Sequence, residues 1–236
     1  MHLSSNEWKS RKRLFWGKIW SDLEIGYLDR DLLPLLLTIN RDSDLYTTSS
    51  CSGRIVVIDS LYPWSREETG VVFKSHTPVK VEELDFLYSL KPYKNLWINV
   101  TGPILHVYAL SSKKAVALLK TARRLGFKHS GVLSASKRRG YFLELITGIY
   151  ISQLILGRSG IIVNRESLFP LVDILNQSLL EGKLRLESLY LELSKALPEG
   201  VDQFIEEDIA QRGFLSYRRT PADIFREMCR EKGLSC

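Results

Sequence analysis

The sequence predicts a single α/β (α+β) domain over residues 1–236, with a mixed sheet flanked by helices, and two patterns carry that prediction. Short runs rich in β-branched and aromatic residues fill the middle of the chain, and around them apolar residues return at spacings of three and four. A third observation narrows the class. No strand-to-helix turn carries G-x-G or a Walker sequence, so a glycine-rich Rossmann nucleotide fold is not indicated.

The elements follow in chain order. Residues 6–20 place Trp8, Lys12, Phe15, Trp16 and Ile19 at helical spacing, within a helical segment spanning 1–28. A second helix opens with Asp31 as cap and Pro34 in its first turn, where the missing N–H goes unused, and buries Leu33, Leu36, Leu37 and Ile39. Strand candidates are 54–59, 70–76, 96–100, 104–110, 127–135, 141–147 and 150–156. Helical spacing recurs at 81–90 and at 111–126, the latter closing on Gly126. A long helix is predicted from Ser167 with Pro170 in its first turn and Gly182 as its weak point. The segments 201–212 and 220–232, separated by 213–221, form a C-terminal helical appendage over 195–236.

Composition sets broad limits. A chain of 236 residues that is 44% hydrophobic can bury a sizeable core unaided. Cys51, Cys229 and Cys236 are odd in number and show no C-x-x-C or Cys/His spacing, so neither a disulfide framework nor a metal site is expected. Secretory and membrane-spanning runs are missing, which points to a cytoplasmic protein. The net charge of +6 suits a polyanionic partner without requiring one.

The most informative segment is YTTSSCSGRI at 46–55. Ser49, Ser50 and Ser52 offer hydroxyls, Gly53 permits positive φ or close approach, and Arg54 offers a planar fork for a carboxylate or phosphate. Composition alone leaves two readings open, a polar ligand cradle or a turn whose serines satisfy local backbone. Cys51 is either a pocket-lining thiol or a nucleophile, the latter requiring a partner such as His76 or His106. His76, at a strand end, is the first candidate for a catalytic base. His106, inside ILHVYAL, is either functional or a satisfied core imidazole. Lys128, Lys137, Arg138 and Arg139, with Arg123 and Arg124 nearby in sequence, suit RNA phosphates, and Tyr141 and Phe142 suit base stacking. The alternative for the basic residues is an ordinary solvated turn and helix end.

Four ordered segments, 40–55 (NRDSDLYTTSSCSGRI), 75–79 (SHTPV), 103–107 (PILHV) and 126–132 (GFKHSGV), resemble the tRNA wybutosine-synthesizing protein 3 family from about Asp29 to Leu193. Two places depart from that family's pattern, Ile25 ahead of Gly26-Tyr27 and Val100-Thr101-Gly102 ahead of PILHV. The resemblance implies an S-adenosylmethionine-dependent N-methyltransferase, outside the Rossmann methyltransferase class, acting on the tricyclic guanosine of the tRNA(Phe) anticodon loop. It assigns Ser49, Ser50, Cys51, Ser52, Gly53, Arg54, Pro78, His106 and Gly131 to cofactor or substrate binding. No metal and no membrane are implied. A non-catalytic tRNA-binding protein and a Cys51 hydrolase are the competing readings.

Overall fold

The structure is a computed structural model that describes residues 5–65, 69–196, 200–214 and 218–236. The chain forms two compact units, one comprising Met1–Ser52, Pro103–Gly148 and Lys183–Glu227, the other Gly53–Gly102, Ile149–Gly182 and Met228–Cys236.

Four strands build the sheet of the first unit: β1 (Leu45–Cys51), β5 (Ile104–Ala109), β6 (Gly131–Ser136) and β7 (Gly140–Ile146), in the order β1-β5-β7-β6. All its pairings are antiparallel. One face carries Leu105, Val107, Ala109, Leu143 and Leu145 into a core closed by helices α1 (Ser5–Glu24), α2 (Leu33–Arg41), α3 (Ser112–Arg124), α5 (Gln203–Gln211) and the C-terminal half of α4 (Arg165–Lys195). From α1 come Trp16 and Ile19, and from α5 come the fully buried Ile205 and Ile209.

The second unit holds β2 (Arg54–Asp59), β3 (Gly70–Ser75), β4 (Leu96–Thr101), β8 (Tyr150–Gly157) and β9 (Gly160–Ile161), in the order β3-β2-β4-β8-β9. These pairings too are antiparallel. Ile55, Val57, Ile98 and Val100 pack against Leu168, Val172, Leu175 and Leu179 of α4. The mixture of helix and strand, with helices on the sheets, is as the sequence predicts. The single mixed sheet is not: the strands divide into two antiparallel sheets. Parallel pairing needs a crossover, and alternation within a strand carries no information about direction.

Several local expectations change. The hydroxyl-rich segment before Arg54 is a strand, β1, rather than a loop. The stretch 81–90 forms 3-10 turns over Val81–Ser89. Asn164 accepts the Ser167 N–H and α4 begins at Arg165, so Pro170 lies beyond the first turn. The same helix runs unbroken through the buried Gly182. The strand predicted at 127–135 starts only at Gly131. Residues 215–217, within the connection between the last two helical segments, lie outside the described residues.

Asp31 does not cap α2, because its carboxylate is buried in an ion pair described below. Cys229 and Cys236 are joined by a disulfide, contrary to the expectation of unpaired thiols. At the end of α6 (Pro221–Glu231), Gly233 adopts φ +63° and Leu234 N–H returns to the Cys229 carbonyl. That reversal brings the two cysteines together, a consequence of helix capping that cysteine spacing does not express.

Candidate active site

Register across the first sheet decides which side chains share its second face. His106 of β5 pairs with Glu144 of β7, and Glu144 pairs with Gly131 of β6. On the other side, β1 pairs Thr47 with Val107 and Ser50 with Leu105, which leaves Thr48 and Ser49 together opposite His106. This is a β-bulge, and bulges re-aim side chains. Here Ser49 Oγ lies 2.8 Å from His106 Nδ1, while His106 Nε2 lies 3.1 Å from Glu144 Oε1. Each strand of the sheet thus supplies one member of a single row: Ser49, His106, Glu144 and Gly131.

The rows on either side of this polar row are not polar. Cys51, Ile104 and Ile146 are paired along one. Tyr46, Tyr108 and Phe142 are paired along the other, with Tyr46 and Tyr108 stacked at 5.0 Å and Tyr108 and Phe142 at 4.7 Å between ring centroids. Phe142 also lies 5.3 Å from the His106 ring. His106 and Glu144 keep 24% and 31% of their side-chain surface exposed. A half-buried polar row between an aliphatic and an aromatic row can hold a flat heteroaromatic ring and reach its polar edge. Gly131 at the end of the row has no atoms within 4 Å of where a Cβ would stand, so the space beside Glu144 is open.

Asp29, Asp31 and Lys183 hold the end of β1. The Asp29 carboxylate accepts the Ser52 N–H at 2.8 Å. Lys183 Nζ, at 6% exposure, donates to Asp31 Oδ2 at 2.7 Å and to Ser52 Oγ at 2.6 Å, and Asp31 is fully buried. Ser52 is therefore spent on structure and presents no hydroxyl to a ligand. Lys183 is absent from the residues expected on sequence, although a lone lysine between Leu179 and Leu186 on an apolar stripe is a visible signal. Glu144 is absent too, a lone carboxylate within an otherwise hydrophobic strand.

In the second unit, Gly53 takes φ +93°, which glycine adopts without strain. Its carbonyl lies 3.1 Å from His76 Nδ1. A carbonyl only accepts, so Nδ1 carries the hydrogen. The turn containing Pro78 is pinned by Asn176 of α4, which bonds both the N–H and the carbonyl of Val79 at 2.9 Å. Arg54 is exposed at the start of β2. Register places it on the same sheet face as Asn99 and Ser152, which are paired with each other across β4 and β8. Asn99 is 4% exposed, and its Oδ1 and the Ser152 Oγ are buried without a hydrogen-bond partner among the described residues.

The basic residues do not form one patch. Arg123 binds the Ser130 carbonyl and Arg124 binds Glu192. Lys128 is exposed ahead of β6, whereas Lys137, Arg138 and Arg139 form the exposed turn after it. Six residues of strand, at about 3.3 Å each, separate the two groups by roughly 20 Å. The turn is tight: Gly140 has φ +78°, and a Cβ there would stand 2.4 Å from the Ala109 carbonyl oxygen.

The family model described as Methyltransferase TYW3 matches residues 10–195. The chain belongs to that family. TYW3 relatives include the tRNA(Phe) 7-((3-amino-3-carboxypropyl)-4-demethylwyosine(37)-N(4))-methyltransferase of Saccharolobus solfataricus, 38% identical over 183 residues that cover 77% of this chain and 87% of the relative. The protein of the same name from Aeropyrum pernix is 35% identical, covering 72% and 90%. Among solved structures, the PH1069 protein from Pyrococcus horikoshii superposes with a TM-score of 0.73 at 30% identity, over 80% of this chain and 97% of that one. A hypothetical protein from Aeropyrum pernix gives 0.64 at 34% identity, over 71% and 98%. As a TYW3 family member the chain is a methyltransferase, and no helix among the described residues is long and apolar enough to cross a membrane. The TYW3 match begins at residue 10, within α1, ahead of the Asp29 at which the sequence resemblance starts.

Proposed function

We propose that this protein transfers a methyl group from S-adenosylmethionine to N4 of the 4-demethylwyosine at position 37 of tRNA(Phe), the base bearing its aminocarboxypropyl arm, in the cytoplasm. The observation that carries the proposal is the 38% identity to a methyltransferase of that specificity, spread over 87% of the relative's length.

The side chains of each unit suit one of the two ligands. The second unit offers on one sheet face the exposed Arg54 guanidinium, a fork for the donor's carboxylate, together with the orphaned Asn99 Oδ1 and Ser152 Oγ. Amine and adenine N–H groups would complete that acceptor and hydroxyl, which otherwise carry a desolvation cost of about 1–3 kcal/mol each. When bound, the cofactor supplies an electrophilic methyl group. In the first unit, Tyr108 and Phe142 stack on the flat tricyclic base and Cys51, Ile104 and Ile146 bound its other edge. Lys128 and the Lys137–Arg139 turn bind phosphates of the anticodon loop, a role that needs only exposure and charge. His76, with Nδ1–H given to Gly53, orients the Gly53–Arg54 segment, a change from the base it is expected to be on sequence.

The test is incubation with S-adenosylmethionine and hypomodified tRNA(Phe), followed by digestion to nucleosides and mass spectrometry. The expected result is conversion of the demethylated nucleoside to a product heavier by one methylene unit. Binding of tRNA without conversion would overturn the proposal. Arg54→Ala should weaken cofactor binding about tenfold by calorimetry, roughly 1.4 kcal/mol.

A further inference from the structure

The acceptor nitrogen of a 4-demethyl base carries a hydrogen in place of the methyl group, so transfer requires that a proton leave. We infer that Ser49, His106 and Glu144 form the relay that removes it, an assignment that rests on the methyl-transfer reading above.

The wiring follows from what each atom can do. A carboxylate only accepts, so the 3.1 Å contact to Glu144 places the ring hydrogen of neutral His106 on Nε2. Nδ1 is then the lone-pair nitrogen, and the 2.8 Å contact makes the Ser49 hydroxyl its donor. The direction of proton flow is thereby fixed. The N–H bond of the base breaks and its electron pair stays on nitrogen. Its proton goes to Ser49 Oγ as the serine's own hydrogen passes to His106 Nδ1. Glu144 stabilises the resulting imidazolium, which returns its proton to solvent after the reaction. Each end of the relay has support in the fold. The bulge at Thr48 and Ser49 brings an exposed serine to a ring that a straight strand would pair with only one residue, and Gly131 leaves the Glu144 end uncrowded. The rows of Phe142 and Ile104 on either side provide apolar surroundings in which positioned proton acceptors are most effective.

The arrangement shares its three residue types with hydrolytic triads. Hydrolysis would pass through a covalent intermediate on Ser49, whereas the relay forms none.

Single-turnover methylation of hypomodified tRNA(Phe) by the full chain tests the inference, with S-adenosylmethionine and tRNA affinities measured separately. His106→Gln should lower the rate about 100-fold or more and abolish the acid limb of its pH profile, while both affinities stay within about twofold. Ser49→Ala should lower the rate by at least about tenfold. Nitrogen-15 spectra of the wild-type imidazole should show the hydrogen on Nε2, and Glu144→Gln, whose amide can donate or accept, should release that preference. A wild-type rate and pH profile in His106→Gln, or a hydrogen on Nδ1 in the wild-type ring, would overturn the relay. Absence of methylation by the wild-type protein would instead overturn the functional reading, and the ring spectra would still report whether the wiring exists.

Discussion

Both sheets hold buried polar atoms without partners among the described residues, Tyr46 Oη and Ser50 Oγ on the first and Asn99 Oδ1 and Ser152 Oγ on the second, but the polar row of the first sheet and the polar pair of the second differ. On the first, Ser49, His106 and Glu144 satisfy one another in a row, and Ser52 is tied to Lys183. On the second, the buried Asn99 stands beside the half-buried Ser152, with Asn99 Oδ1 and Ser152 Oγ lacking partners among the described residues. A satisfied row is preorganised chemistry, whereas an unsatisfied pair is a standing cost that a ligand can remove. The difference predicts opposite signs for deleting the polar side chain at Lys183 and at Asn99.

The largest effect belongs to the first unit. Lys183→Ala leaves the Asp31 carboxylate buried without its cation, and denaturant melts should show a drop in stability of about 3–5 kcal/mol. A drop below about 1 kcal/mol would break the comparison. Asn99→Leu in the second unit should leave stability unchanged or raise it by up to about 1 kcal/mol, yet weaken S-adenosylmethionine binding about tenfold. Stability and affinity falling together would mean that Asn99 is structural. Replacing Lys137, Arg138 and Arg139 with alanine should weaken tRNA binding several-fold. The salt dependence of log K should flatten by about 0.7 for each phosphate no longer engaged, and an unchanged slope would show that the turn meets no phosphate.

The smallest effect concerns Lys12, whose ammonium donates to the Asp42 carbonyl and pairs with Asp202 at 3.2 Å. Burial is the dominant influence and holds its pKa below the ordinary 10.5, against the opposing pull of Asp202. As pH rises, the folded chain therefore releases this proton before the unfolded chain does. The unfolded state binds more protons between the lowered value and 10.5, so stability attributable to Lys12 rises with pH through that window. Comparing wild type with Lys12→Met from about pH 7 to about pH 10 measures it. If the stability of wild type relative to Lys12→Met falls as pH rises, the sign is wrong.

Much of the strand and helix content is legible in the sequence, because apolar periodicity survives wherever one face is buried. YTTSSC is not legible as a strand, since its hydroxyls mimic turn composition and only pairing with β5 reveals it. Of the site, Ser49, His106 and Gly131 are readable as members of separate segments. Glu144 is not, because its importance comes from standing opposite His106, a relation that exists only in the register. Asp31 misleads for a related reason. A carboxylate ahead of a helix reads as a cap, and its true partner, Lys183, lies 152 residues along the chain.

The bulge in β1 has a further consequence, one of parity. Strict alternation from Tyr46, which shares the aromatic row, would turn Ser50 toward that same face and Cys51 toward the core. The additional residue reverses the count, so that Ser50 falls opposite Leu105 and Cys51 opposite Ile104. A chain shortened by one residue at Thr48 would become a regular strand, and Ser50 and Cys51 would keep the faces they have now. Only the aim of Ser49 would change. The sheet can therefore absorb a deletion that alters the head of the relay, which makes this short stretch a place where the fold and the chemistry are separable.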